Sequence, residues 1–265
     1  MTSDYFLLDT DSTADRDGLR HLRLSQRWNT PLGRPNGGYI LAAMLRGLGE
    51  ELSAGEPVSA SIDFLAAPTD GDAALLTRRL RLGRRISTGR AELRQGDRLI
   101  ADLTANFAAD EARRGRSTEL GTPPNLPEPS ECADPRSFMR AAGITGGIAD
   151  RIEYRLAATP GWADGSPSGD PTAQLWQRVA GVSHMDRIAM ALLTDAYAPA
   201  VMELGETASV TVHLSVHLYR RPSPGWIATK LTTRHLIDGF HEEDCELWDE
   251  AGSLVAQSRQ LALLA

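Results

Sequence analysis

The sequence of 265 residues has only two cysteines and no long hydrophobic run. Cys132 and Cys245 form no close-spaced motif, so we expect neither a disulfide framework nor a zinc site. This cysteine usage favours a reducing, cytoplasmic setting. No stretch approaches the apolar length that is needed to cross a bilayer. Residues 1–18 are acidic and lack a basic segment followed by an apolar run, which is not the pattern of a signal peptide.

Basic residues are in the minority, with 28 Lys and Arg against 35 Asp and Glu and a formal net charge of -7. A chain without a basic footprint is a poor partner for nucleic acid, and an anionic membrane surface attracts it no better. Hydrophobic residues make up 42% of the sequence, enough for the core of one large domain or two ordinary ones. We therefore expect a globular protein with no nucleic-acid or membrane partner.

The first half of the chain changes from a helical to an alternating pattern. Asn36 has the character of an N-cap, and the apolar stripe behind it predicts a helix that starts within or just after Asn36-Gly37-Gly38. Alternating stretches then predict antiparallel strands over Pro57 to Leu65, Ala74 to Leu82, Ile86 to Leu93 and Leu99 to Phe107. This order is typical of an α+β layer in which a sheet covers a single helix.

The second half repeats this plan after a segment rich in proline, serine and charge. We expect a unit of residues 1–110, a linker of residues 111–149 and a second unit of residues 150–265. Leu99-Ile100-Ala101 in the first unit matches Leu254-Val255-Ala256 in the second, each shortly after a Glu-Leu pair. The second unit has strand patterns over Arg151 to Ala157, Gln174 to Val179, Val210 to Tyr219, Trp226 to Ile237, Glu242 to Trp248 and Leu254 to Leu263.

Ser183 to Pro199 predicts the helix of the second unit. Ser183 and Asp186 have the spacing of a capping box, and Pro199 cannot continue a helix. One helical face, which we expect to be buried, carries Ile188, Ala191, Leu192 and Asp195. A carboxylate on such a face is costly unless a neighbour hydrogen-bonds it or chemistry uses it. The alternative is an incompletely buried face from which Asp195 reaches solvent or an arginine.

The two units differ in their polar residues. Gln260 stands opposite Ala105 when the units are aligned, and Asp195 has no acidic counterpart in the first helix. Thr211, at the start of the strand after the second helix, is a third polar candidate. If the units are structural equivalents, the chemistry belongs to the second unit.

In their order and spacing these features resemble the acyl-CoA thioesterase II-like family, whose members carry two hotdog folds in one chain. The matching residues are Asn36-Gly37-Gly38, Phe64-Leu65 through Pro68, the Ile86 to Phe107 hairpin, Ile152-Glu153-Tyr154-Arg155, Leu175-Trp176-Gln177-Arg178, Leu193-Thr194-Asp195, Thr211-Val212-His213 to Arg221-Pro222, and Leu254-Val255-Ala256 through Gln260. The resemblance implies an α+β double hotdog that forms an internal pseudo-dimer. It also implies acyl-CoA hydrolysis in lipid metabolism, without a cofactor or a metal.

The family's catalytic Asp, Thr and Gln correspond to Asp195, Thr211 and Gln260. The resemblance implies that they hold a water which attacks the thioester carbonyl directly, without an acyl-enzyme. A thioester is already activated towards attack by water. Hydrolysis therefore needs little more than a carboxylate that accepts the proton of the water and two neutral groups that hold the water in place. We expect Asn36-Gly37-Gly38 to bind the substrate, and a backbone N–H near a helix start to stabilise the oxyanion.

The strand that carries Thr211 departs from the family pattern. His213 stands where the family usually has an acidic residue, and the run to Arg221-Pro222 is one residue longer, which a β-bulge could absorb. Strict alternation places Thr211 on the polar face, with Val210 and Val212 on the core face. Unless the strand bends, Thr211 faces away from the predicted base.

Other polar groups have simpler interpretations. His213 and His217 lack a carboxylate or cysteine at metal-binding spacing, which favours an exposed or inter-subunit polar face. Glu242-Glu243-Asp244 is typical of the solvated edge of a strand. An arginine cluster, which could meet a CoA phosphate or only face solvent, comprises Arg78, Arg79, Arg81, Arg84 and Arg85.

Three functions remain open at this point. The leading one is hydrolysis of an acyl-CoA or another acyl-pantetheine thioester. The second is a non-catalytic acyl-thioester binding protein of the same fold, which an outward-facing Thr211 or a filled cavity would favour. The third is an enoyl-thioester hydratase or dehydratase, which needs an Asp and a His close together on one loop. A homodimer is a further possibility.

Overall fold

The structure is a computed structural model that describes residues 4–16, 18–112, 114–141 and 143–264. The elements of the first half are α1 (Tyr5–Thr10), β1 (Thr13–Ala14), β2 (Arg20–Leu24), α2 (Gly37–Leu52), β3 (Glu56–Phe64), β4 (Gly71–Arg81), β5 (Ile86–Gln95) and β6 (Arg98–Ala108). Those of the second half are α3 (Arg136–Ala141), β7 (Ile152–Leu156), β8 (Thr172–Val179), α4 (Arg187–Leu193), β9 (Ser209–Leu218), β10 (Ile227–Thr232), β11 (Leu236–Ile237), β12 (Phe240–Asp249) and β13 (Leu254–Leu264).

Helix α2 begins as the sequence predicts. The Asn36 Oδ1 atom accepts a hydrogen bond of 3.0 Å from the Tyr39 N–H and so satisfies one of the free amides at the helix start. The helix ends at Ser53, whose backbone is left-handed with φ 48° and whose N–H donates to the Gly49 carbonyl. All side chains from Tyr39 to Leu45 are buried. A helix that is apolar all round must be covered on every side, here by the sheet and by α4.

Helix α4 is shorter than predicted, and the capping box at Ser183 is wrong. The N-cap is Asp186, whose Oδ1 accepts from the Ala189 N–H at 2.7 Å. Ser183 is exposed, and its hydroxyl lies 3.0 Å from the His184 Nδ1 atom. Because Asp186 already satisfies a free amide at the helix start, no turn of helix precedes it. The helix ends at Leu193, so Asp195 lies just beyond the C-terminus and not on the helix itself.

The strands form one antiparallel sheet. Its order is β1-β2-β4-β5-β6-β3-β9-β13-β12-β10-β8-β7, and β11 pairs with β12 beside this path. β3 and β9 pair from Ser59–His217 to Asp63–His213, and this seam joins the two halves edge to edge. Helices α2 and α4 contact each other, and each packs on strands of its own half. The α+β arrangement of two helix-plus-sheet units in an internal pseudo-dimer is therefore confirmed.

Two further local predictions differ from the structure. The stretch from Trp226 to Ile237 contains two strands, β10 and β11, and the predicted linker contains α3. The division into residues 1–110, 111–149 and 150–265 stays a prediction, and residues 1–3, 17, 113, 142 and 265 of those ranges lie outside the described residues. In the described part of the chain, no helix is long and apolar enough to cross a membrane.

Candidate active site

Asp195 lies where the C-terminal end of α4 meets the N-terminus of α2. Its Oδ2 atom accepts a hydrogen bond of 2.8 Å from the Gly38 N–H. The Asn36 Nδ2 atom donates to the Asp195 backbone carbonyl at 2.7 Å and lies 3.4 Å from Oδ2. The first amides of a helix lack intrahelical partners and carry partial positive charge, so this helix start stabilises a carboxylate. The carboxylate of one unit is thus held by the helix of the other.

The glycine pair at the start of α2 is required by this close approach. A Cβ atom on Gly37 would lie 2.7 Å from the Asp195 Oδ2 atom, and one on Gly38 would lie 2.5 Å from the Leu192 carbonyl oxygen. Only glycine leaves room for α4 and the carboxylate at these distances. The predicted substrate-binding residues Asn36, Gly37 and Gly38 therefore surround Asp195, and their contact with a substrate stays a prediction.

The electrostatic environment of Asp195 increases the proton affinity of its carboxylate. Burial raises the pKa of its carboxyl from 3.8 to about 6, and the hydrogen bond from Gly38 limits that rise. A carboxylate with a pKa near the working pH is ionised in most molecules, yet accepts a proton more readily than an ordinary aspartate.

Thr211 and Gln260 meet on the neighbouring strands β9 and β13. The Thr211 hydroxyl donates a hydrogen bond of 2.7 Å to the Gln260 Oε1 atom. The structure therefore brings these two predicted residues together.

A β-bulge explains how Thr211 reaches this position. Leu261 pairs with His213, but the next residue, Ala262, pairs with Thr211, so Val212 is left out of the register. The predicted placement of Val210 and Val212 on the core face is wrong, because the bulge shifts the alternation by one residue. These two valines are 54% and 37% exposed, while Thr211 is turned towards Gln260.

Glu243, which the sequence analysis assigned to a solvated strand edge, is a buried member of this site. Strand β12 lies between β13 and β10, and Glu243 is only 4% exposed. Its Oε1 atom accepts from the Gln260 Nε2 at 2.8 Å, and its Oε2 atom accepts from the Ala200 N–H at 2.6 Å. Burial and, to a smaller extent, the charge of Asp195 raise the pKa of Glu243 to about 7. The prediction for Glu243 was therefore wrong.

The alternation of β12 contains the signal that could have identified Glu243. The buried residues on this face are His241, Glu243, Cys245 and Leu247. A period of two that places Cys245 and Leu247 in the core also places Glu243 there. We call Asp195, Thr211, Gln260 and Glu243 the polar cluster.

The other polar candidates of the sequence lie elsewhere. The His213 ring lies 2.9 Å from the Ser61 hydroxyl across the β3–β9 seam, and the His217 ring stacks on Tyr219. Arg79 of the arginine cluster donates to the Glu51 carbonyl at the C-terminal end of α2, the end opposite Asp195. The described residues contain no group of three or more His, Cys, Asp or Glu side chains that could hold a metal ion.

Comparison with protein families gives two matches along the chain. Residues 24–108 match the model of an acyl-CoA thioesterase N-terminal domain. Residues 123–264 match the model of an acyl-CoA thioesterase C-terminal domain. The two matches follow each other in the order of the two helix-plus-sheet units.

Similar proteins include relatives in sequence and in structure. An uncharacterized protein of Mycobacterium tuberculosis is 30% identical over 226 residues, which cover 79% of this chain and 76% of the relative. A Thermobifida fusca structure called a "putative thioesterase II" is 26% identical, with a TM-score of 0.88 and coverage of 100% of this chain and 99% of that one. An Alicyclobacillus acidocaldarius protein of unknown function with a hotdog fold is 19% identical, with a TM-score of 0.88 and the same coverage.

Proposed function

The chain belongs to the acyl-CoA thioesterase family, and from this premise we propose that it hydrolyses an acyl-CoA to the free acid and CoA with Asp195 as general base. The observation that carries the proposal is the partly buried Asp195 carboxylate, which accepts a hydrogen bond from the Gly38 N–H and has a pKa raised to about 6. The substrate class is an acyl-CoA or another acyl-pantetheine thioester, and such a substrate implies lipid metabolism.

The proposed reaction is a direct attack of water on the thioester carbonyl. Asp195 accepts one proton of the water while its oxygen adds to the carbonyl carbon, and Thr211 and Gln260 fix the water's orientation. Collapse of the tetrahedral intermediate breaks the carbon–sulfur bond, and the thiolate of CoA leaves and takes up the proton. The products are one carboxylic acid and one thiol, and no acyl-enzyme forms.

The oxyanion of the intermediate needs hydrogen-bond donors close to the carboxylate. The N–H groups of Gly38 and Tyr39 are engaged by Asp195 and Asn36. We propose the N–H of Gly37, the first residue of α2, as a donor, because an amide at this helix position has no intrahelical acceptor.

The test is thiol release from a panel of acyl-CoAs of increasing chain length, with wild type beside Asp195→Asn. Loss of a general base predicts a fall in kcat/KM of about 10²–10⁴-fold. Asp186→Asn is the matched control: it removes a carboxylate from the other end of the same helix, and asparagine still caps it, so activity should stay near that of wild type.

Two outcomes would contradict the proposal. Wild type that binds acyl-CoAs but releases no thiol across the panel would identify a non-catalytic acyl-thioester binding protein. Loss of the enoyl absorbance of an enoyl-CoA without thiol release would instead identify a hydratase. Among the described residues, the hydrogen bonds to the Asp195 carboxylate come from Gly38 and Asn36 and not from a histidine, which favours the hydrolase.

A further inference from the structure

Glu243 has no part in the reaction proposed above, although it is buried beside the residues that perform it. Both of its carboxylate oxygens are engaged, one by the Gln260 Nε2 at 2.8 Å and the other by the Ala200 N–H at 2.6 Å. A buried carboxylate with two donors is a fixed acceptor. It therefore determines which way the amide of Gln260 points.

The direction of the hydrogen bonds follows from this acceptor. With the Gln260 Nε2 directed at Glu243, the Oε1 atom faces Thr211 and accepts the only proton of its hydroxyl. Towards a bound water the Thr211 oxygen can then act only as a hydrogen-bond acceptor. The reversed amide would make Thr211 accept from Gln260 and turn its proton towards the water.

This direction matters for the attacking water. If Asp195 and Thr211 both act as acceptors, they engage the two protons of the water and leave an oxygen lone pair free for the carbonyl carbon. A Thr211 hydroxyl that donates to the water would occupy the lone pair that must attack.

We propose that Glu243 is a positioning residue that fixes the amide of Gln260, so that Thr211 accepts a hydrogen bond from the attacking water. This inference rests on the hydrolase function proposed above. Glutamine cannot replace Glu243 in this role, because Ala200 and Gln260 donate to different carboxylate oxygens and a glutamine has an oxygen at only one of these two positions. In a Glu243→Gln variant either the Ala200 N–H loses its acceptor or the amide of Gln260 reverses.

The charges around Glu243 determine how this role depends on pH. Two sets of titratable groups lie near Glu243. One is Asp195, which follows the C-terminal end of α4, and the other lies on strand β12 itself and comprises His241, Asp244 and Cys245. Burial lowers the pKa of His241 and raises that of Cys245, so the imidazole and the thiol are uncharged at neutral pH. Asp244 is paired with Arg234 and Arg259. The coupled pair that remains is Asp195 and Glu243, with pKa values of about 6 and 7.

The experiment is the pH profile of kcat/KM for wild type, Glu243→Gln and Glu246→Gln. If Asp195 and Glu243 must both be ionised, kcat/KM of wild type falls below pH 6 to 7, and the slope of log kcat/KM against pH approaches two. In Glu243→Gln we expect a slope of one, a midpoint near pH 6, and a plateau lowered roughly ten- to a hundredfold by the misdirected buried hydrogen bond.

Glu246 provides the matched control, because it lies on the same strand but faces away from the cluster. Glu246→Gln should keep the two-proton limb and the plateau of wild type. A merely structural role of Glu243 would lower the plateau without changing the slope.

Carbon-13 carboxyl titration of wild type gives a second measurement that needs no variant. Glu243 should titrate near pH 7, and a value near its ordinary 4.5 would overturn the two-proton acid limb, because Glu243 would then stay ionised across it. Thiol release with an unchanged limb and plateau in Glu243→Gln would overturn the positioning role alone. Absence of thiol release from wild type would overturn the hydrolase function and the positioning role together.

Discussion

At the scale of the residue, Asp195 is placed between two opposing influences. Burial favours its neutral form, whereas the Gly38 N–H and the start of α2 favour the ionised form. Full burial without a donor would leave a neutral acid at pH 7, and an exposed aspartate would be too weak a base. The resulting pKa of about 6 is suited to accepting a proton from water.

The glycines at the start of α2 allow this balance to be tested. In Gly37→Ala the new Cβ meets the Asp195 Oδ2 atom, the end of a side chain that can move, whereas in Gly38→Ala it meets the Leu192 backbone. We expect Gly37→Ala to lower kcat/KM by about a hundredfold through a displaced carboxylate, with a small change in Tm. Gly38→Ala should lower both kcat/KM and Tm.

Steady-state kinetics and thermal unfolding of the two variants measure these effects. Equal losses of Tm in both variants would contradict the distinction between a movable side chain and a fixed backbone. Wild-type activity in Gly37→Ala would show that the Asp195 carboxylate is free to sit elsewhere during the reaction.

Sequence reasoning reached some of these residues and not others, for physical reasons. Gln260 and Asp195 stand out because each is polar where the other unit has an apolar residue. Glu243 was misassigned because Glu242 and Asp244 flank it, and three acidic residues in a row do not show which of them shares the buried face with Cys245. Its raised pKa could not be predicted, because it depends on burial, on the Ala200 N–H and on Asp195, all contributed by tertiary packing.

At the scale of the element, the bulge in β9 determines the orientation of Thr211. The residues after the bulge keep the predicted alternation, with Leu214 and Val216 in the core. The residues before it are inverted, so Thr211 reaches Gln260 and Val210 faces solvent. The sequence indicated an extra residue in this strand, but pairing with β13 determines where the extra residue is accommodated.

Deletion of Val212 should remove the bulge and restore strict alternation. In the shortened strand His213 points outward and Thr211 inward, so Thr211 keeps Ala262 as its partner and keeps its hydrogen bond to Gln260, and Val210 stays exposed. We expect kcat/KM to stay near that of wild type, whereas Thr211→Val, which removes the hydroxyl, should lower it.

The control is Val212→Ala, which keeps the residue count and therefore the bulge, so it should retain most of the activity. The measurements are thiol release and thermal unfolding of the three variants. A Val212 deletion that loses as much activity as Thr211→Val would contradict this orientation of the shortened strand.

Helix boundaries show a similar limit of prediction. The start of α2 was predicted correctly because Asn36 is the one side chain nearby that suits an N-cap. The start of α4 was predicted too early because Ser183 and Asp186 both suit that role, and the structure uses Asp186. Where two caps compete, the packing of α4 on α2 and the sheet decides between them.

At the scale of the whole molecule, the two units share a plan but not a site. Leu45 and Asp195 each lie nine residues after the N-cap of their helix. Gly89 pairs with Ala105 in the first unit as Glu243 pairs with Gln260 in the second. A Cβ atom on Gly89 would lie 2.7 Å from the Leu48 Cδ1 atom, so leucine fills the position that corresponds to the polar cluster. The first unit thus contributes packing and the start of α2, and the second contributes the carboxylates.

Concentrating two carboxylates in one unit has a consequence for the stability of the molecule. Their pKa values are raised from 3.8 and 4.5 to about 6 and 7, so the folded chain binds more protons than the unfolded chain over this range. The contribution of these groups to the free energy of unfolding is therefore largest below pH 4 and falls as pH rises towards 7. The pKa of Asp244 is lowered by Arg259, and its contribution is lost as pH falls.

Asp195 and Asp244 therefore shift the stability of the folded chain in opposite directions. Relative to wild type, Asp195→Asn should gain stability between pH 4 and pH 8 by about 1–3 kcal/mol, because it removes a carboxylate whose ionisation opposes folding. Asp244→Asn should instead be less stable than wild type by a constant amount throughout this interval, because it removes a partner of Arg259 that is ionised across it. Urea unfolding at a series of pH values measures both differences. Parallel curves for Asp195→Asn and wild type would mean that Asp195 titrates at its ordinary pKa, and the base proposed for the reaction would then lack the environment that this fold is inferred to give it.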